Sequence, residues 1–134
     1  SSDQNTVLSR SVATYKGTGL QHIAFSCDDI FSTVKKLRTN GARLLDIPDN
    51  YYDDLQARFG LEDEFTDRLR EHHLLYDADG AGGEFLHVYS EPVEERFFFE
   101  VIQRINGYDQ YGAANTPVRL MAQDLYWKRH QEKA

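Results

Sequence analysis

Two hydrophobic rhythms run along this chain: alternation in five short stretches, and recurrence every three to four residues between and after them. Leu20-Gln-His-Ile-Ala-Phe-Ser26 predicts a strand with His22, Ala24 and Ser26 on one face and Ile23 and Phe25 on the other. A helix follows: Asp28 and Asp29 stand as an N-cap pair, Ile30, Val34 and Leu37 recur at i, i+4 and i+7, and Gly41 sits where a left-handed C-cap is expected. Arg43 to Ile47 predicts a second strand, stopped by Pro48. Two short acidic helices, over Tyr51 to Leu55 and Leu61 to His72, then form an insertion between strands. His73 to Tyr76 predicts a third strand and Asp77 to Gly83 a turn. Phe85 to Tyr89 returns as a fourth strand with Phe85, His87 and Tyr89 on one face, and Phe97 to Gln103 is a fifth. After a loop from Asn106 to Asn115, Pro117 to Gln131 predicts a closing helix with Pro near its start. Strand, helix, strands, helix is the order of an α+β module, with no internal repeat. Residues 1–16 are polar and without a sustained period, so they read as an incoming linker and 17–134 as the single module.

Composition narrows the function classes. At 134 residues, 40% hydrophobic and 28% charged, the chain carries one globular domain's worth of sequence. A formal net charge of -7 repels phosphate backbones, which argues against a nucleic-acid partner. No run approaches the roughly 18 apolar residues of a membrane span, and SSDQNT at the start lacks the order of a secretory signal, so the expectation is a cytoplasmic protein with no membrane partner. Cys27 is the single cysteine, which excludes an internal disulfide and a multi-thiolate zinc site. Eight Phe, eight Tyr and one Trp supply rings for a core or a pocket.

Glu100 is the first residue that could carry chemistry. An ionised carboxylate inside Phe-Phe-Phe-Glu-Val-Ile is costly to desolvate unless a cation offsets it. A metal ion is one candidate for that cation; Arg96 or Arg104 is another, and a wet strand edge is the third reading. His22, flanked on its face by small side chains, has the surroundings of a neutral nitrogen ligand, or of an ordinary hydrogen-bonded histidine. His87, between Phe85 and Tyr89, lines the same cavity either as a ligand or as a donor to a substrate oxygen. His72 and His73 straddle a helix end, where cationic imidazoles suit the dipole, and are read as structural. Asp77-x-Asp79-Gly80 opens like a calcium loop but lacks the further acids, so a turn is expected. Gly17-x-Gly19 precedes a strand and is no phosphate cradle, and Cys27 beside two acids is no nucleophile.

Four blocks together, Gly17-Thr-Gly-Leu-Gln-His-Ile-Ala-Phe25, Asp28-Asp29-Ile30, Ile47-Pro-Asp-Asn-Tyr-Tyr-Asp53 and Phe97-Phe-Phe-Glu-Val-Ile-Gln-Arg104, closely resemble 4-hydroxyphenylpyruvate dioxygenase in order and spacing, from about Gly17 to Gln123. The resemblance implies a vicinal oxygen chelate (glyoxalase/dioxygenase-like) βαβββ module, with a curved mixed sheet, a helical insertion and a C-terminal helix. In that family Fe(II) is held by two His and one Glu, leaving open positions for an α-keto acid and dioxygen. Residue by residue, His22 and Glu100 match two of the metal ligands, and the remaining His is expected in a preceding βαβββ module of a longer chain. Another divalent metal, such as Mg, Mn or Co, would suit the same donors. Gln103, in the last of the four blocks, and His87 and Asn115, outside them, are the candidate catalytic residues.

The chain also departs from the dioxygenase. Leu86-His87 stands where the family has a substrate-contacting Gln, and the ring-stacking Phe of Phe-Gly-x-Gly-Asn-Phe is Thr116 in Tyr111-Gly-Ala-Ala-Asn-Thr116. Losing an aromatic platform weakens binding of a phenyl substrate. Tyr-Gly-Ala-Ala-Asn-x-Pro-Val-Arg and Leu-His-Val-Tyr-Ser look more like the dioxygenase-like C-terminal domain fused to bacterial 3-dehydroshikimate dehydratases. The expected ligand is a small aryl or cyclohexene keto or carboxylic acid. The alternatives are a non-catalytic accessory or oligomerisation domain of such a dehydratase, and a glyoxalase-like homodimer with a shared metal site.

Overall fold

A computed structural model of the chain describes residues 9–11 and 20–132. The alternating stretches pair into one mixed sheet of five strands, β1 (Ser9–Ser11), β2 (Gln21–Ser26), β3 (Leu75–Ala78), β4 (Glu84–Tyr89) and β5 (Phe97–Ile105), in the order β1-β2-β5-β4-β3. β2 and β5 run parallel, and the other three pairings are antiparallel. Parallel neighbours need a long crossover, and helices α1 (Ile30–Thr39), α2 (Asn50–Phe59) and α3 (Asp63–Glu71), with the β3-β4 hairpin, supply it. Helix α4 (Thr116–Glu132) closes the chain after a 3-10 turn over Ala113–Asn115. This is the α+β module with its helical insertion.

Two expectations from the pattern change. Ser9–Ser11, within the stretch read as linker, forms an edge strand paired with Ala24 to Ser26; the rest of 1–16, together with Gly17 and Gly19, lies outside the described residues. Arg43 to Ile47 is not a strand. It makes an isolated bridge between Leu44 and Ser90, and Leu44, Leu45 and Ile47 are buried. Its apolar content serves packing rather than a ladder, and Pro48 prevents pairing from continuing.

The ends of α1 follow the sequence signals. Asp29 accepts a hydrogen bond from the Ser32 amide at 3.3 Å, and Gly41, one residue past the cap at Asn40, takes φ +91°, a conformation that suits glycine. The Ile30 amide, exposed as an orphan donor at the helix start, is met by Gln103 Oε1 at 2.9 Å, and Gln103 Nε2 donates to the Asp28 carbonyl at 2.7 Å. Both ends of the Gln103 amide therefore clamp β5 to the start of α1. Gln103→Ala is expected to lower stability by about 1 kcal/mol, as for a lost cap, while leaving metal affinity unchanged; paired denaturation and metal-titration curves check both halves.

Alternation along β4 and β5 divides the core. Leu86, Val88 and Val101 are buried in one cluster with Ile30, Val34, Leu55 and Leu69 from the helices. The opposite face carries Phe85, Ile102 and Tyr108 as a second cluster, with the Phe85 and Tyr108 rings stacked at 4.9 Å. The 3-10 turn and α4 cross this second face, where Asn115 meets His87 and the Arg119 guanidinium lies over Tyr89 and Phe98. The polar residues of interest lie between sheet and helix.

Candidate metal centre

The parallel register of β2 on β5 sets Ala24 opposite Glu100 and His22 opposite Phe98. His22 and Glu100 are thus one pleat apart on adjacent strands, on the same face, although 78 residues apart in sequence. Glu100 Oε1 accepts a hydrogen bond from His22 Nε2 at 2.7 Å, and Phe98 stacks on the imidazole with centroids 4.6 Å apart and planes inclined by 18°. Neither Arg96 nor Arg104 pairs with the carboxylate among the described residues; both its ion pairs are to imidazoles. Adjacent donors on an octahedral ion at about 2.0–2.1 Å stand about 3 Å apart. The hydrogen-bonded pair, at 2.7 Å, stands close to that spacing. Among the described residues no group of three or more His, Cys, Asp or Glu side chains completes a metal cage.

His87 is held by other partners. It is wholly buried, and both ring nitrogens are engaged: Nδ1 faces Glu100 Oε2 at 2.8 Å and Nε2 faces Asn115 Nδ2 at 2.9 Å. The proton positions follow from the neighbours. Asn115 Nδ2 donates to the Tyr76 carbonyl at 3.0 Å, an acceptor that cannot face the amide oxygen. The Tyr51 hydroxyl accepts from the Tyr76 amide at 3.0 Å and donates to Asn115 Oδ1 at 2.9 Å. With its amide so oriented, Asn115 donates to His87 Nε2, which leaves the proton on Nδ1 and directs it at Glu100. His87 thereby occupies Glu100 Oε2 and leaves Oε1 to converge with His22. Gly112, at φ +64°, admits this layer: a Cβ there would lie 3.1 Å from His87 Nε2 and 2.8 Å from the Phe85 ring.

Electrostatics agree with the geometry. Glu100 is 5% exposed. Burial by itself pushes its pKa upward, but the hydrogen bonds from His22 and His87 outweigh burial and hold it down to about 2. The Tyr89 hydroxyl, in polar contact with Glu100 and Arg119, is pushed up by burial and then by the Glu100 charge, so it stays protonated. A carboxyl depressed in the folded state stabilises the fold above its unfolded pKa of about 4.3 and loses that contribution as pH falls toward the folded value of about 2. The contribution is about 3 kcal/mol at neutral pH. Urea unfolding between pH 6 and pH 2.5 is expected to show this loss in the wild type and its absence in Glu100→Gln.

Of the residues marked by sequence, His22, Glu100, His87 and Asn115 come together in one hydrogen-bonded row. Gln103 does not join them: it projects from the other face of β5 into the α1 clamp. His72 and His73 sit at the end of α3, where burial lowers both pKa values, against the cationic form that would suit the helix end. Asp79 Oδ1 accepts from the Ala81 and Gly83 amides, so the turn runs from Asp79 to Gly83, while Asp77 and Ala78, expected in it, belong to β3. Tyr51, Tyr89, Arg119 and Gln123 carry polar groups into the same region without having been singled out. For Arg119 a signal existed: Asn115, Arg119, Ala122 and Tyr126 share one helical stripe.

Residues 3–85 match the Glyoxalase/Bleomycin resistance protein/Dioxygenase superfamily. The chain belongs to that superfamily. The match includes His22 and ends before Glu100, so Glu100 is placed beside His22 by strand register. Within the superfamily the chain is 56% identical over 122 residues to a 3-dehydroshikimate dehydratase of Pseudomonas aeruginosa, covering 91% of this chain and 19% of that protein. It is 39% identical over 116 residues to a 4-hydroxyphenylpyruvate dioxygenase of the same organism, covering 86% and 32%. A solved xylose isomerase-like TIM barrel/4-hydroxyphenylpyruvate dioxygenase fusion protein superposes with a TM-score of 0.76 at 58% identity, over 78% of this chain and 17% of that one. A mutant of 4-hydroxymandelate synthase from Streptomyces coelicolor superposes with a TM-score of 0.63 at 31% identity, over 81% and 30%. The chain thus spans about a fifth of the length of its dehydratase relatives. No helix among the described residues is long and apolar enough to cross a membrane.

Proposed function

We propose that this chain is the C-terminal, metal-binding half of a dioxygenase-type domain in a longer cytoplasmic protein that also carries a 3-dehydroshikimate dehydratase unit. The metal is Fe(II), or another divalent ion, held by His22 Nε2 and Glu100 Oε1, with a further histidine from a preceding βαβββ module. The observation that carries this reading is the convergence of those two atoms at 2.7 Å in a ring-lined, part-buried setting. A divalent ion, when bound by these residues, would supply Lewis-acid chemistry and open coordination positions. The chain's own residues do the rest. His87 holds Glu100 in one orientation, Asn115 and Tyr51 hold His87 in one tautomer, and Phe98 and Tyr89 keep water from the metal ligands. Asn115 and His87 act as positioning residues. Oxygen uptake by the full-length protein with Fe(II) and a panel of aryl and cyclohexene keto acids tests the oxidation. Turnover that disappears in His22→Ala is expected, and absence of turnover with every acid removes the enzymatic reading.

A second reading rests on α4, which leaves Leu120, Met121 and Leu125 more than 40% exposed. That apolar strip suits a packing surface, either toward another unit of the longer protein or toward a second copy in a homodimer. If the module serves assembly rather than oxidation, deleting it from the full-length protein changes the sedimentation behaviour or dehydratase rate of what remains.

A further inference from the structure

Arg119 is 9% exposed and forms no ion pair among the described residues. Its guanidinium lies 5.2 Å from the Phe98 ring centroid and 5.7 Å from that of Tyr89. Phe98 is the ring stacked on His22, and the Tyr89 hydroxyl contacts Arg119 on one side and Glu100 on the other. The guanidinium is therefore one hydroxyl away from the metal-binding carboxylate. Nη1 donates to Gln123 Oε1 at 3.1 Å, but Arg119 Nε and Gln123 Nε2 are buried with no hydrogen-bond partner among the described residues. An orphaned buried donor is costly, and a buried cation without a counter-ion more so. Two such donors on hydrogen-bonded neighbours, both on buried side chains and both without an acceptor among the described residues, call for an anion.

We propose that Arg119 and Gln123 form a carboxylate receptor beside the metal position, so that the substrate of this site is an acid carrying a carboxylate that does not sit on the metal. This rests on the metal-site reading for the other end of the substrate. A guanidinium presents a planar fork that pairs with a carboxylate through two parallel N–H donors. With the Phe98 and Tyr89 rings beside it, a planar anion entering edge-on meets Arg119 Nε and Gln123 Nε2. A keto diacid or ring-carboxylated keto acid meets such a receptor better than a phenol.

The test uses the full-length protein and two probe sets. In chelator-treated protein, calorimetric titration with glutarate is expected to give binding at least about 10-fold tighter in the wild type than in Arg119→Met, with Gln123→Met intermediate. In cobalt-loaded protein, 2-oxoglutarate is expected to bind at least about 10-fold tighter than 2-oxobutyrate, a preference that Arg119→Met abolishes by weakening only the diacid. Thermal melting separates a receptor from a packing residue: removing an uncompensated buried charge leaves Tm unchanged or raised, whereas a guanidinium kept for its ring contacts lowers Tm when lost. Glutarate binding that is absent from the wild type, or equal in wild type and Arg119→Met, overturns the receptor. Failure of cobalt to bind removes the metal reading alone, since the glutarate comparison needs no metal.

Discussion

Glu100→Gln is expected to weaken divalent-metal binding by more than about 100-fold, beyond the 10- to 100-fold that outer-shell changes cost. The substitution is nearly isosteric, so the fold should survive it. What disappears is the negative charge that two imidazoles hold ionised, with a pKa of about 2, in a site 5% exposed. A neutral amide offers the metal a weaker oxygen and presents an N–H donor to either His22 or His87, setting donor against donor on one side. Calorimetric titration of wild type and variant with one divalent metal measures the loss. Retention of wild-type affinity would mean that the His22–Glu100 contact is only a buried hydrogen bond.

Asn115→Leu should produce the second large effect, at a residue outside the proposed ligand pair. Asn115 satisfies three groups at once: the Tyr51 hydroxyl, the Tyr76 carbonyl and His87 Nε2. Leucine leaves each of them buried without that partner, and a broken buried network of this size is expected to cost about 2–4 kcal/mol. It also frees His87 to place its proton on Nε2, in which case Nδ1 no longer donates to Glu100. Metal affinity should then fall about 10- to 100-fold, even under conditions where the variant is fully folded. Chemical denaturation and metal titration on the same samples check both parts, and a variant that loses stability while keeping metal affinity would separate His87 from the orientation of Glu100.

The sheet and its helices were readable because their signals are local. Alternation at Leu20 to Ser26 and Phe97 to Gln103, the Asp29 cap and Gly41 each depend on a few neighbouring residues. The Arg43 to Ile47 stretch misled for the same reason, since buried apolar residues in a connection and in a strand have the same local pattern. Glu100 was legible as an anomaly within an apolar run, but its partners were not, because parallel pairing of β2 and β5 brings His22 to it across 78 residues. Gln103 illustrates the opposite error: its place in a matching block suggested chemistry, whereas the two-residue period of β5 turns it to the face away from Glu100. The direction of the His87 ring depends on a backbone carbonyl at Tyr76 acting through Asn115, a relation that leaves no mark in the sequence.

An anaerobic cobalt(II) titration of the full-length protein, followed by visible absorption in wild type, His22→Ala, Glu100→Gln and His87→Leu, separates ligands from positioning residues most directly. One cobalt equivalent should vanish in His22→Ala and in Glu100→Gln, while His87→Leu binds the same equivalent more weakly and with an unchanged spectrum. An equivalent that persists without Glu100, or a cobalt spectrum that changes when His87 is replaced, would contradict the assignment of His22 and Glu100 as ligands and of His87 as the group that orients them.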